Sequence, residues 1–159
     1  PLASAQQQAR VMRYIEGARE DGARLHCGGR RALQDTGGFF VEPTVFSNVS
    51  PTARIAQEEI FGPVLAVIPF DGEEEAVRIA NGTMYGLMAY VWTADLSRGL
   101  RMAKAIRSGV IVNAAMPTGD GPGHAFSLEP AGLSGLGAEG GLAGLQNYQR
   151  RQLIWINHA

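Results

Sequence analysis

The sequence predicts an α/β fold, a parallel βαβ sheet followed by a separate strand at the carboxyl end. Three apolar segments, at 64–70, 87–93 and 110–112, alternate with two amphipathic segments, at 73–81 and 96–107. Nearly continuous apolar segments are typical of strands buried on both faces, and their alternation with helices is typical of right-handed βαβ units. The predicted organisation is a domain over residues 1–150 and an oligomerisation strand over 151–159.

The first part of the chain predicts one helix and one edge strand. Ser4 and Gln7 have the spacing of a capping box, and apolar residues at helical spacing follow until residues 21–22 end the helix. Residues 39–45 have the composition of a strand but contain Pro43. Because proline cannot donate a ladder hydrogen bond, this strand is predicted at the edge of a sheet.

Polar residues mark the starts of the two helices between the apolar segments. Asp71 together with Glu74 is predicted to cap the helix at 73–81, and Asp95 to cap the helix at 96–107. Helix starts of this kind support the βαβ interpretation.

Composition excludes several classes of protein. The chain has 159 residues, 45% of them hydrophobic, which is enough for one domain with a core. The net charge is −1, so a nucleic-acid partner is not expected. No apolar run approaches the roughly 18 residues of a membrane span. The single cysteine excludes an internal disulfide, and a cytoplasmic location is predicted.

The stretch at 57–65 is the strongest candidate for a ligand site. Glu58 and Glu59 precede Phe61 and the pair Gly62-Pro63, and an apolar strand follows. A Gly-Pro pair cannot continue a helix, so the carboxylates and the aromatic ring are predicted on a stiff corner at the mouth of a strand. Ligand sites are often built on such corners.

The sequence of this stretch resembles the E-E-I-F-G-P signature of the aldehyde dehydrogenase superfamily. The other segments that resemble the family are 40–45 (F-x-x-P-T-V), 81–87 (N-x-T-x-Y-G-L), 109–113 (G-x-V-x-V-N) and 134–141 (S-G-x-G-R-E-G-G). The resemblance implies the C-terminal part of the family's catalytic domain. The family's cysteine nucleophile, general-base glutamate and oxyanion asparagine would then lie upstream, and this chain alone would be inactive as a dehydrogenase.

The resemblance also implies a cofactor, NAD or NADP, in the intact enzyme. Glu59 matches the glutamate that holds the nicotinamide ribose hydroxyls, and Phe61 matches the aromatic residue that packs on the nicotinamide. The alternatives are a solvated carboxylate for Glu59 and an ordinary core residue for Phe61. Glu58 is interpreted as a structural neighbour.

One loop departs from the family pattern. Residues 125–133 replace the family's P-F-G-G-x-K-x-S-G, and Asp120, His124 and Glu129 fall in or near it. A histidine with carboxylates can carry out acid–base catalysis, so these three are candidate catalytic residues, with a plain polar loop as the alternative. Cys27 is interpreted as a structural cysteine. No metal site is predicted, because no cysteine or histidine cluster has ligand spacing.

Three hypotheses about function stay open on the sequence. The chain contributes the cofactor contacts and one wall of the substrate funnel of an aldehyde dehydrogenase. Alternatively, it is a naturally truncated relative with non-redox acid–base chemistry on another small-molecule ligand, needing no NAD. The third hypothesis is a non-catalytic module that binds a partner through its terminal strand. Each predicts a homo-oligomer, because an open apolar strand edge needs a cover.

Overall fold

A computed structural model describes residues 1–114 and 126–157 of the chain. The fold is mixed α/β. Its contacts divide the chain into two compact units, Pro1–Thr83 and Met84–Ala159. None of the helices in the described ranges combines the length and apolar character needed to cross a membrane.

The first unit contains three helices, a single-turn 3-10 helix and five strands. In chain order these are α1 (Ala5–Glu20), β1 (Arg24–Cys27), β2 (Arg31–Ala32), the 3-10 helix (Gln34–Thr36), β3 (Phe40–Val41), β4 (Thr44–Ser47), α2 (Arg54–Gln57), β5 (Val64–Ala66) and α3 (Gly72–Ala80). One sheet has the order β1-β4-β5, in which β1 is antiparallel and β5 parallel to β4. The strands β2 and β3 form a separate antiparallel pair.

The described residues of the second unit form one strand–helix–strand crossover and a short antiparallel pair. Its elements are β6 (Tyr85–Gly86), β7 (Met88–Val91), α4 (Leu96–Ala105), β8 (Gly109–Val112), β9 (Ala131–Gly132) and α5 (Gly141–Gln146). Helix α4 connects the parallel strands β7 and β8, and β6 pairs with β9 in the antiparallel direction. The predicted parallel pattern is therefore present in β7–α4–β8, whereas β5 pairs with β4 and the wider parallel sheet is not confirmed.

The core of the first unit lies between one face of α1 and the sheet. The α1 residues on this face are buried at helical spacing, which is the pattern that holds an amphipathic helix on a core. The buried residues of this core are Val11, Tyr14, Ile15, Ala18, Val41, Phe46, Val49, Ile55 and Ile60.

Two helix starts agree with the sequence and one differs. The Ser4 hydroxyl accepts from the Gln7 backbone N–H at 3.1 Å, and an oxygen of Asp95 accepts from the Arg98 backbone N–H at 3.1 Å, as predicted. The second contact of the predicted capping box is not made, because the Gln7 side chain bonds to the Ile60 and Phe61 carbonyls. At α3 the Asp71 side chain caps nothing, and Glu75 instead accepts from the Asp71 backbone N–H at 2.7 Å. The contact at the start of α3 therefore comes from Glu75 and not from the predicted Glu74.

Two strand predictions are corrected. The predicted strand at 39–45 is interrupted at Pro43, and β4 begins after it, so the proline removes no hydrogen bond from β4 and that strand is central rather than at the edge. The predicted strand at 64–70 is only three residues long, and Leu65 is 58% exposed, so it is not buried on both faces in this chain.

No strand forms at 151–157, the described part of the predicted terminal strand. Its apolar side chains are exposed, with Trp155 at 85%. A strand needs hydrogen-bonding partners, and the described residues offer none to this segment. The division into a domain at 1–150 and a strand at 151–159, and the oligomer it implies, stay predictions.

Two glycines with the same backbone preference provide a test of the packing in the first unit. Gly22 and Gly28 both have left-handed backbones, with φ of 81° and 72°. A Cβ on Gly22 meets nothing within 4 Å, whereas one on Gly28 would overlap the Pro43 carbonyl oxygen. We expect Gly22→Ala to lower the free energy of unfolding by about 1–2 kcal/mol. Gly28→Ala should lower it by about 2–5 kcal/mol, because overpacking adds to the backbone cost.

Denaturant unfolding of the two variants beside the parent measures this difference. Equal losses in the two variants would show that the turn at Gly28 does not pack against Pro43 as described.

Candidate functional site

The 58–62 loop joins α2 to β5 and exposes the side chains of Glu58, Glu59 and Phe61. Ile60 is 8% exposed and anchors the loop in the core, while Glu59 is exposed and Phe61 is 67% exposed. The alternative that Phe61 is an ordinary core residue is therefore wrong. A large aromatic ring on a surface loop is available for contact with a ligand or partner.

Glu58 has a structural role, as the sequence indicated. Its two oxygens accept from the Tyr14 hydroxyl at 2.6 Å and from Arg54 Nε at 3.1 Å. The Arg54 guanidinium also lies over the Tyr14 ring, 4.5 Å from its centroid. This cluster joins α1, α2 and the start of the loop.

The charges in this cluster shift two pKa values in opposite directions. The hydrogen bond from Arg54 lowers the pKa of Glu58 below its ordinary value, and the hydrogen bond from Tyr14 lowers it further. The pKa of Tyr14 is raised, chiefly because its hydroxyl donates to Glu58 and because it is buried. At neutral pH the cluster therefore contains an ionised Glu58 and a neutral Tyr14.

Glu59 differs from Glu58 in having its carboxylate turned to solvent. Its backbone carbonyl accepts from Arg10 at 3.0 Å, but its side chain makes no hydrogen bond or ion pair with another residue in the ranges 1–114 and 126–157. A carboxylate without protein partners can accept from two hydroxyls at once. Glu59 and Phe61 thus offer an acceptor pair and an aromatic surface two residues apart on the same loop.

The helix α1 supplies the other residues of the site. Gln7 Nε2 donates to the carbonyl oxygens of Ile60, at 3.1 Å, and Phe61, at 2.8 Å. These contacts, like those of Arg10, Tyr14 and Arg54, were not predicted. The four-residue separation of Arg54 and Glu58 is a sequence signal for an ion pair. The contacts from α1 have no such signal, because they join residues 44 to 54 positions apart.

The proposed acid–base cluster is not tested. Asp120 and His124 lie outside the described residues, and Glu129 belongs to the second unit, where it is exposed. Glu129 lines an open cavity of about 380 Å³. The other residues lining this cavity are Gly137, Ala138, Ala143, Gln146, Asn147 and Arg151.

Cys27 lies at the end of β1 and contacts backbone rather than a catalytic partner among the described residues. Its thiol is exposed and lies 3.7 Å from the Pro43 carbonyl oxygen, while the neighbouring His26 makes a 2.6 Å hydrogen bond with Ser47. Across the described ranges, no group of three or more histidine, cysteine, aspartate or glutamate side chains could hold a metal ion. The cytoplasmic location stays a prediction.

Acidification is expected to weaken the attachment of the 58–62 loop. Because the pKa of Glu58 is lowered in the folded protein, its contribution to stability is complete above the ordinary value of 4.5. That contribution is lost as the pH falls through the lower, folded value. Glu58→Gln should lower Tm at about pH 7 and make Tm fall less steeply towards about pH 3.

The measurement is thermal unfolding across this pH range, with Glu20→Gln, an exposed carboxylate at the end of α1, as the control. A Glu58→Gln curve parallel to that of the parent at every pH would contradict the ion pair.

A profile of the aldehyde dehydrogenase family matches residues 1–154. The chain is 43% identical to 3,6-anhydro-alpha-L-galactose dehydrogenase of Streptomyces coelicolor, covering 100% of this chain and 32% of that protein. It is 41% identical to betaine aldehyde dehydrogenase of Bacillus subtilis, covering 99% of this chain and 32% of the relative.

Solved structures agree with these sequence matches. An indole-3-acetaldehyde dehydrogenase in complex with NAD+ superposes with a TM-score of 0.89 at 45% identity, over 98% of this chain and 31% of that one. An NAD+ complex of an aldehyde dehydrogenase from Bacillus cereus has a TM-score of 0.89 at 40% identity, over 99% of this chain and 31% of that one.

These comparisons correct the prediction that the chain is the C-terminal portion of such an enzyme. They show an aldehyde dehydrogenase segment that spans about a third of its relatives' length, and they do not support the C-terminal placement. The absence of the family nucleophile and the inactivity of the chain were deduced from that placement. Without the C-terminal placement, neither conclusion has support.

The family itself is shown by the profile match over nearly the whole chain and by identities above 40% to several of its enzymes. This chain belongs to the aldehyde dehydrogenase family.

Proposed function

We propose that the chain serves NAD-dependent oxidation of an aldehyde, and that Glu59 and Phe61 contact the nicotinamide ribose and ring. The observation that carries the proposal is the exposed pair itself, a carboxylate without a described partner and a 67% exposed aromatic ring on a loop anchored by Ile60. The NAD+ named with two of the matched structures supports NAD as the cofactor.

The chemistry expected of these two side chains follows from their groups. Bound NAD would accept a hydride from the substrate. Glu59 would accept hydrogen bonds from the two ribose hydroxyls and so fix the rotation of the nucleotide. Phe61 would cover apolar ring surface and exclude water from it. Neither side chain needs to change its protonation state for this role.

The substrate is proposed only as an aldehyde. The names of the matched proteins refer to 3,6-anhydro-alpha-L-galactose, betaine aldehyde, geranial and indole-3-acetaldehyde. These compounds differ in size and polarity, so their common aldehyde group is the part that supports an inference about this chain.

We also propose that the segment 151–159 mediates self-association. Four consecutive apolar side chains there are 70–88% exposed; they are Leu153, Ile154, Trp155 and Ile156. A continuous apolar segment of this kind favours burial against another chain, and strand addition would satisfy its backbone groups as well.

Removal of the Glu59 carboxylate is expected to weaken NAD binding. Glu59→Gln loses a charged acceptor, so the KM for NAD should rise by about tenfold or more, while kcat at saturating NAD changes less. Steady-state kinetics with a panel of aldehydes measures both parameters. Glu20→Gln is the control, because Glu20 is another exposed carboxylate without a partner among the described residues. An unchanged KM in Glu59→Gln would refute the assignment.

Truncation of the Phe61 ring is expected to have a similar effect on KM through a different interaction. Phe61→Ala should raise the KM for NAD about tenfold, because the aromatic contact surface is lost. Phe61→Tyr, which keeps the ring, should stay close to the parent. Equal effects of the two substitutions would indicate that the ring does not cover the nicotinamide.

A proline in the terminal segment is expected to reduce self-association. Ile154→Pro removes a backbone donor and restricts φ, so it should shift the mass measured by light scattering towards the monomer. Ile154→Val keeps the apolar character and strand preference and should leave the mass unchanged. A parent protein that is already monomeric would exclude this proposal.

A further inference from the structure

We propose that Gln7 and Arg10 of α1 are positioning residues that hold the backbone of the 58–62 loop so that the Phe61 ring stays presented to the cofactor. The inference rests on the proposed function of Glu59 and Phe61. It assigns to α1 a role in cofactor binding that the helix would exert through the loop backbone.

The starting observation is the backbone of Phe61. Its φ is 57°, in the left-handed region that a bulky side chain rarely adopts. The ring is 67% exposed, so burial of the ring does not offset the conformational cost. Such a conformation persists only when the surrounding structure holds it, and it is common where a side chain must face a ligand.

The contacts of Gln7 are placed to hold this torsion. The φ angle of Phe61 is the torsion about its N–Cα bond, which sets how the Ile60 and Phe61 carbonyl groups are oriented relative to each other. Gln7 Nε2 donates to the oxygens of both carbonyls, at 3.1 and 2.8 Å. A primary amide carries two hydrogens, so one nitrogen can make both bonds. A rotation about φ would separate the two oxygens from their common donor.

Arg10, one helical turn after Gln7, makes a second contact with the loop backbone. Its guanidinium donates to the Glu59 carbonyl at 3.0 Å and to the Tyr14 hydroxyl at 3.0 Å. Tyr14 is 2% exposed and donates to Glu58, so the arginine is itself fixed by a buried group. The residues at 7, 10 and 14 share one face of α1 and contact successive residues of the loop.

Packing brings the loop close enough to α1 for these bonds. A Cβ on Gly62 would lie 2.5 Å from Val11 Cγ2, so the glycine allows direct contact between loop backbone and helix. Gln7 also occupies the position from which a capping-box side chain would return to Ser4. Its amide bonds to the loop instead, so capping does not account for this contact.

The test separates the conformation of Phe61 from the binding of NAD. In the first measurement, 4-fluorophenylalanine replaces Phe61 and its 19F NMR signal is recorded without NAD. Gln7→Met keeps the side-chain length but removes the donor, and it should shift or broaden the signal. Gln7→Glu is a second variant without the amide donor. Gln6→Ala, at an exposed neighbouring position, should leave the signal as in the parent.

The second measurement is the Kd for NAD by titration calorimetry on the same variants without the fluorine label. Gln7→Met and Arg10→Ala should each raise Kd by about five- to tenfold, the effect of one or two lost hydrogen bonds. Arg10→Lys keeps a donor and should recover most of the affinity. Arg13→Ala, an exposed α1 position without a described partner, should match the parent.

The outcomes distinguish this inference from the function on which it rests. An unchanged 19F signal together with an unchanged Kd in both Gln7 variants would overturn the positioning role. If Glu59→Gln weakens NAD binding and the Gln7 variants do not, the positioning role alone fails. If Glu59→Gln also leaves Kd unchanged, the proposed cofactor contact fails.

Discussion

The hydrogen bond between the buried Tyr14 hydroxyl and Glu58 is the contact on which the site depends. It joins the centre of α1 to the first residue of the 58–62 loop, and Arg54 holds the other carboxylate oxygen from α2. A buried hydroxyl without a partner is destabilising, so the same bond that satisfies Tyr14 also fixes where the loop begins. The positions of the exposed residues Glu59 and Phe61 therefore depend on this hydrogen bond.

The two adjacent glutamates of the 58–62 loop have different surroundings. Glu58 faces a phenol and a guanidinium, whereas Glu59, the next residue, faces solvent with its carboxylate unpaired among the described residues. Ile60 then enters the core and Phe61 leaves it. This alternation lets a single short segment be anchored in the core and still present two side chains to solvent.

The predictions that succeeded depend on local rules. The cap at Ser4, the cap at Asp95 and the crossover through α4 follow from short-range spacing and helix periodicity. The family resemblance, which rests on several separate segments, is confirmed by the profile match over residues 1–154. The ligand site predicted at 57–65 from two carboxylates before a rigid corner stays a prediction.

The predictions that failed depend on pairing between distant segments. An edge position follows for Pro43 only if residues 39–45 form one continuous strand. In the structure β4 starts after Pro43 and pairs with a strand on each side. The attachment of the 58–62 loop to α1 joins residues about fifty positions apart in sequence, which no local pattern indicates. The acid–base assignment has not failed but stays untested, because Asp120 and His124 lie outside the described ranges.

The left-handed backbone of Phe61 also bears on how this position can vary. A glycine or asparagine would adopt φ near 57° more readily than phenylalanine does. A chain optimised only for folding would therefore favour one of those residues here. On the proposed function, the large ring at a position whose backbone disfavours it exchanges some stability for a contact with the cofactor.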